Sequence, residues 1–192
     1  MTPEQTIAII EIMNVETVLA IENGNDGCII LELGSNRTIK INTAGDKLWF
    51  LNGQLHRADG PADEHADGTS SWFLNGQLHR EDGPAAEWAN GAKCWYLNGQ
   101  RHRADGPAEM WATGAKSWFL NGQQHREDGP AEERANGTKR WYINGQIHRA
   151  DGPAEMWADG IKNWFLGGKQ FSEAEWKQQV SKSVAPEGQN IQ

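Results

Sequence analysis

The sequence predicts a mostly β protein: an elongated, single-layer antiparallel β-hairpin repeat array, with helical N- and C-terminal caps. Three observations carry this expectation. Tryptophan falls at 49, 72, 95, 118, 141 and 164, and every step is 23 residues. Asn-Gly follows three residues after each of the first five, at 52–53, 75–76, 98–99, 121–122 and 144–145. The 192 residues include 22 Gly and 10 Trp but are only 38% hydrophobic. That composition suits a turn-rich sheet in which a few large aromatics supply most of the buried area.

The elements follow in chain order. Thr2-Pro3-Glu4-Gln5 reads as a capped helix start, predicting a helix over about 3–13. Strand-like runs follow at 17–22, 28–33 and 37–42, so residues 1–48 form an α+β cap. The repeat array occupies 49–171, with units starting at each of the six tryptophans. Its consensus is W-[FY]-[LI]-N-G-Q-x-H-R-[AE]-D-G-P-A, then a variable stretch and a second turn. Asn-Gly favours a type I′ hairpin, because both central residues need positive φ. The second turns are Asp67-Gly68, Asn90-Gly91, Thr113-Gly114, Asn136-Gly137 and Asp159-Gly160. Pro in each Asp-Gly-Pro lacks a donor and marks a strand edge. Such a unit cannot bury its own apolar face, but stacked neighbours can.

Alternation assigns cross-strand neighbours. Trp72 is expected opposite His79, and Leu74 opposite Gln77. Trp88 is expected opposite Lys93, Trp111 opposite Lys116, and Trp157 opposite Lys162. Those three pairs are either Trp–Lys cation–π contacts of about 0.5–1 kcal/mol or lysines that simply solvate the sheet. Ser172-Glu173-Ala174-Glu175 is a capping box. It starts a helix expected to run through about residue 180, within a capping segment at 172–183. Residues 184–192 read as a disordered tail.

Charge and cysteine usage exclude several classes. The formal charge is −8 and no stretch is strongly basic, so direct binding to nucleic acid is not expected. No apolar run approaches the roughly 20 residues of a membrane helix. The first twenty residues carry three Glu and neither Lys nor Arg, unlike a signal peptide. The expected location is the cytoplasm. Cys28 and Cys94 form neither a disulfide framework nor a CxxC site.

Candidate sites come from the repeat. His56, His79, His102, His125 and His148 recur once per unit. Equivalent positions two strands apart lie roughly 9–10 Å from each other, too far to share a metal with bonds of about 2 Å. Their expected job is structural: stacking on the cross-strand tryptophan or bonding a neighbouring loop. Arg57, Arg80, Arg103, Arg126 and Arg149 are candidate anion-binding residues, since arginine rows hold phosphate or acidic peptide. The competing reading pairs each with an Asp of the same or the next unit. No GxSxG, HExxH or P-loop is present, and copying a residue five times spreads a surface instead of building one pocket. No enzyme activity, cofactor or metal is expected. The variable positions flanking the second turn supply candidate partner-binding residues: Trp88, Met110, Trp111, Arg134, Met156 and Trp157. This stripe is either a protein-binding face or the hydrophobic seam of the array.

The motif as it stands at 75–85, Asn-Gly-Gln-Leu-His-Arg-Glu-Asp-Gly-Pro-Ala, resembles MORN-type repeats, in particular the variant of bacterial and phage proteins. The resemblance covers about residues 39–171. It departs where the usual His-Gly becomes His-Arg, as at His79-Arg80. It implies a hairpin array that binds or scaffolds, some bacterial members being antitoxins. The expected function is therefore non-enzymatic binding of a protein, in the manner of an antitoxin, immunity or phage counter-defence inhibitor. The alternatives are a nucleotide-binding sponge using the arginine rows and a structural or oligomerising scaffold.

Overall fold

The computed structural model describes residues 18–23 and 27–184. The helix expected over 3–13 and most of the expected tail, 185–192, lie outside them. The chain divides into two compact units, Met1–Arg80 and Glu81–Gln192.

The first unit opens with a regular antiparallel meander. Strand β1 (Val18–Asn23) pairs with β2 (Ile29–Leu33), β2 with β3 (Arg37–Ile41), and β3 with β4 (Lys47–Leu51). Apolar residues alternate along β2 and β3, so one face collects them. Ile29, Leu31, Leu33, Ile39 and Ile41 are buried together, with Val18 and Trp49 packed against them. β4 then pairs with both Gln54–Leu55 and Asp63–Glu64, which starts the repeat pattern.

Each repeat builds two pieces from very short strands. In the second unit the inner ladder runs through Ala86–Glu87, Lys93–Cys94, Glu109–Met110, Lys116–Ser117, Glu132–Glu133, Lys139–Arg140, Glu155–Met156 and Lys162–Leu166, each antiparallel to the next. The outer piece is a hairpin around Asn-Gly, such as Tyr96–Leu97 with Gln100–Arg101. The opening tryptophan joins the two. The Trp95 amide donates to Ala108 of the inner ladder at 2.8 Å, and its carbonyl accepts from the His102 amide of the outer hairpin at 3.1 Å. Within the second unit successive outer hairpins are also bonded, as by the Gly122 amide to the Arg101 carbonyl at 2.9 Å.

The two turns of a repeat differ, and the difference corrects one expectation. In the first turn Asn98 and Gly99 both have positive φ, 50° and 75°, as a type I′ turn requires. The register there is as expected: the His79 amide bonds the Trp72 carbonyl, and Leu74 pairs with Gln77. In the second turn only the glycine, Gly91 at 86°, is left-handed. The Asn90 side-chain oxygen accepts from the Ala92 amide at 3.0 Å, and the Trp88 amide bonds the Ala92 carbonyl at 3.0 Å. This is a three-residue loop, so the register moves by one. Lys93 pairs with Glu87, Lys116 with Met110 and Lys162 with Met156. The expected Trp88–Lys93, Trp111–Lys116 and Trp157–Lys162 pairs therefore do not form.

Helix α1 (Glu173–Val184) closes the last strand. The capping box is made: the Ser172 amide donates to Glu175 at 2.9 Å, and the Glu175 amide donates to the Ser172 hydroxyl at 3.3 Å. The buried Trp176 anchors the helix, its indole N–H donating to the Arg149 carbonyl at 3.0 Å. The helix runs a turn past residue 180 and includes Val184.

Candidate functional site

The opening tryptophans and the arginines eight residues later meet in every complete repeat. The guanidinium carbon lies 4.3 Å from the ring centre for Arg57 on Trp49, 4.0 Å for Arg80 on Trp72, and 4.1 Å for Arg103 on Trp95. The distances are 4.1 Å for Arg126 on Trp118 and 4.0 Å for Arg149 on Trp141. The stacks of Arg57, Arg103, Arg126 and Arg149 are braced below. Arg103 Nε donates to Asp105 at 2.9 Å and Nη1 to the Pro107 carbonyl at 3.4 Å. The same pair of bonds recurs from Arg57, Arg126 and Arg149. The Arg103 hydrogen bond, with its charge, holds the Asp105 carboxyl below its ordinary range, and Arg126 does the same for Asp128. Arginine bonding an Asp of its own unit is thus what the geometry shows for these four. The glycine of Asp-Gly-Pro lets the guanidinium lie down: a Cβ on Gly129 would fall 2.9 Å from Arg126 Cζ.

The arginine–tryptophan sandwich was missed in the sequence, yet a signal existed. Trp, Arg, Asp and Gly recur together in all five complete repeats, whereas the Trp–Lys pairing has no counterpart at His65/Ser70.

Within each compact unit, histidines link one repeat to the next. His102 Nδ1 lies 3.2 Å from the Asn121 amide nitrogen and 2.9 Å from its side-chain oxygen. At the last copy the partner is glycine, and the Gly167 amide donates to His148 Nδ1 at 3.0 Å. The hydrogen sits on Nε2 there. Of the two structural jobs considered, bonding a neighbouring loop is the one this geometry performs.

The second-turn positions split between two faces. In the ladder, Met110 pairs with Lys93 and Lys116, and Met156 with Lys139 and Lys162. Trp111 and Trp157 come one residue later, and alternation turns them to the opposite face. The six candidates therefore do not form one stripe. On the tryptophan face, Trp88, Trp111, Arg134 and Trp157 occupy equivalent places in successive repeats. Trp88 and Trp111 stack at 6.1 Å between ring centres. They stay 38% and 45% exposed, Trp157 37%, and Ile161, bonded across the turn to Trp157, 56%.

The same face carries a charged row along the ladder. Glu109 and Glu155 are buried, which costs energy unless each finds a partner. Arg101 pairs with Glu109, and Arg140 reaches Glu132 at 3.1 Å and Glu155 at 2.9 Å. Arg134 Nε donates to Glu132 at 2.6 Å, and Arg140 also lies 4.8 Å over the Trp157 ring. In the second repeat the row holds Ala86 and the buried Cys94 instead, whose thiol is pushed up to about 11 by burial and by Glu109. Among the described residues no cluster of three or more His, Cys, Asp or Glu could hold a metal ion, and no helix is long and apolar enough to cross a membrane.

No family model matches this chain, and no curated protein is similar to it.

Proposed function

We propose that this chain is a non-enzymatic repeat protein that binds another protein through the row Trp88, Trp111, Arg134 and Trp157, and that it inhibits that partner. The observation that carries the reading is the exposure of three tryptophans in one row, extended by Ile161. Burying a tryptophan against a partner removes much apolar area from water, and Trp and Arg dominate interface hot spots. The charged row beneath keeps this face rigid and in register, since a one-residue slip would turn Glu109 and Glu155 away from their arginines. The likeness of the repeat motif to MORN-type variants of bacterial and phage proteins, antitoxins among them, supports inhibition as the mode and the cytoplasm as the location. The arginine-row alternative has less support, because Arg57, Arg103, Arg126 and Arg149 already spend N–H groups on Asp and on Pro carbonyls.

The test is affinity capture from host lysate with the whole chain as bait, beside a Trp88→Ala/Trp111→Ala/Trp157→Ala variant shown to be folded by circular dichroism. A partner that the wild type retains and the variant loses supports the reading. A partner held equally by both would remove the tryptophan row as the site.

A further inference from the structure

A cleft lined by none of Trp88, Trp111, Arg134 and Trp157 lies outside the proposed site. It is an open cleft of about 720 Å³ between the Asp-Gly-Pro loop of the third repeat and the outer hairpin of the fourth. Trp118 and Leu120 supply its apolar lining, and Asp105, Glu127 and Asp128 its carboxylates. The place of Glu127 is Ala104 in the third repeat. The fourth-repeat side of the cleft therefore carries one carboxylate more than the third-repeat side.

The sign of its ligand follows from the groups already paired. Arg103 and Arg126 also line the cleft, but their charges are matched by Asp105 and Asp128 at 2.9 and 2.8 Å. Glu127 is the third carboxylate against two guanidinium groups, and its nearest basic atom is His125 Nε2 at 3.8 Å. An anion entering here would meet three carboxylates. A cation would meet Glu127 directly. It would also meet two carboxylates that each spend Oδ1 on an arginine, while a carboxylate offers about four acceptor directions.

We propose that this cleft binds the side chain of an arginine or lysine presented by a partner protein. The aliphatic stem packs on Trp118 and Leu120 and the charged head lies among Asp105, Glu127 and Asp128, as long basic side chains bury their stems and keep their heads in polar surroundings. The proposal does not depend on the tryptophan row, none of whose residues line the cleft.

The full chain, labelled with ¹⁵N, is titrated at low salt with N-acetyl-arginine amide and followed at the Trp118 indole N–H. Parallel titrations use N-acetyl-leucine amide and sodium phosphate. The expected result is a saturable shift at Trp118 with the arginine amide alone. Glu127→Gln, at an exposed position, weakens binding by about two- to fivefold, the range of a solvent-exposed ion pair. Ala104→Lys, also exposed, places a competing ammonium in the cleft and abolishes the shift. Each variant's spectrum reports its own folding. Absence of a saturable shift at Trp118, an equal response to phosphate or the leucine amide, or an unaltered titration in Glu127→Gln would overturn the proposal.

Discussion

The meander β1–β4 and the repeats that follow are both antiparallel sheet, but they are held together differently. In the meander, five large aliphatic side chains from β2 and β3 are buried in one cluster. In the repeats the fully buried apolar side chains are small: Ala62, Ala85, Ala108, Ala131 and Ala154 are each 0% exposed. Cohesion there comes from the arginine–tryptophan stacks, the paired charges of the ladder, and backbone bonds that recur from copy to copy within a unit. Strand length explains the division. A five-residue strand places two or three side chains on its inner face, enough for an aliphatic core. A two-residue strand places one, so stabilisation shifts to groups that reach around the turns.

This comparison predicts how each region fails. The largest loss is expected for Leu31→Ala, which removes a fully buried side chain and costs about 2–5 kcal/mol, seen as a lower denaturant midpoint. In the repeats the sensitive direction is the reverse. Ala131→Leu has no room at 0% exposure and costs about 1–3 kcal/mol through overpacking. If Ala131→Leu proved neutral by the same measurement, the alanine row would not be the close contact described here.

Arg103→Ala removes both the stack on Trp95 and the brace on Asp105, at an expected cost of about 1–2 kcal/mol. Arg103→Lys keeps the charge but loses the planar fork. Its melting temperature should fall nearly as far as that of the alanine variant. Full recovery by lysine would show that charge alone, and not stacking, holds the loop.

The smallest effect is pH dependence. The folded carboxyls of Asp105, Asp128 and Asp151 lie below the ordinary value of 3.8, chiefly through their arginine hydrogen bonds. Such a group stabilises the fold fully above that ordinary value and stops doing so as pH falls through its own lower value. The arginine braces should therefore hold through mild acid and weaken only below about pH 3.8. Hydrogen exchange by NMR should then show amides around 103–107 and 126–130 losing protection before those of 29–41. Simultaneous loss in both regions would mean that the braces do not set local stability.

Much of this was legible in the sequence because it is local. The 23-residue period, the positive-φ Asn-Gly turns, the strands at 28–33 and 37–42 and the capping box at Ser172 each depend on residues within a few positions of one another. Local chemistry misled where two turns share a dipeptide. Asn75-Gly76 and Asn90-Gly91 look alike, yet only the first is a two-residue turn. The type is decided by how the flanking strands pair with their neighbours. That one-residue difference moved Trp111 and Trp157 away from the lysines and paired Lys116 with Met110 and Lys162 with Met156 instead.

What the sequence by itself determined is the repeating unit: which residues turn, which extend, and that every copy needs a neighbour. Tertiary structure decided what those residues touch. Arg103 finds Trp95 because the Asp-Gly-Pro loop doubles back across the ring, and His102 bonds Asn121 because the outer hairpins stack. Trp88 and Trp111 remain exposed because alternation places them on a face where the ladder's own charges are already paired. A turn is encoded by φ preferences of adjacent residues, whereas a stack or an exposed row depends on the path of chain many residues away.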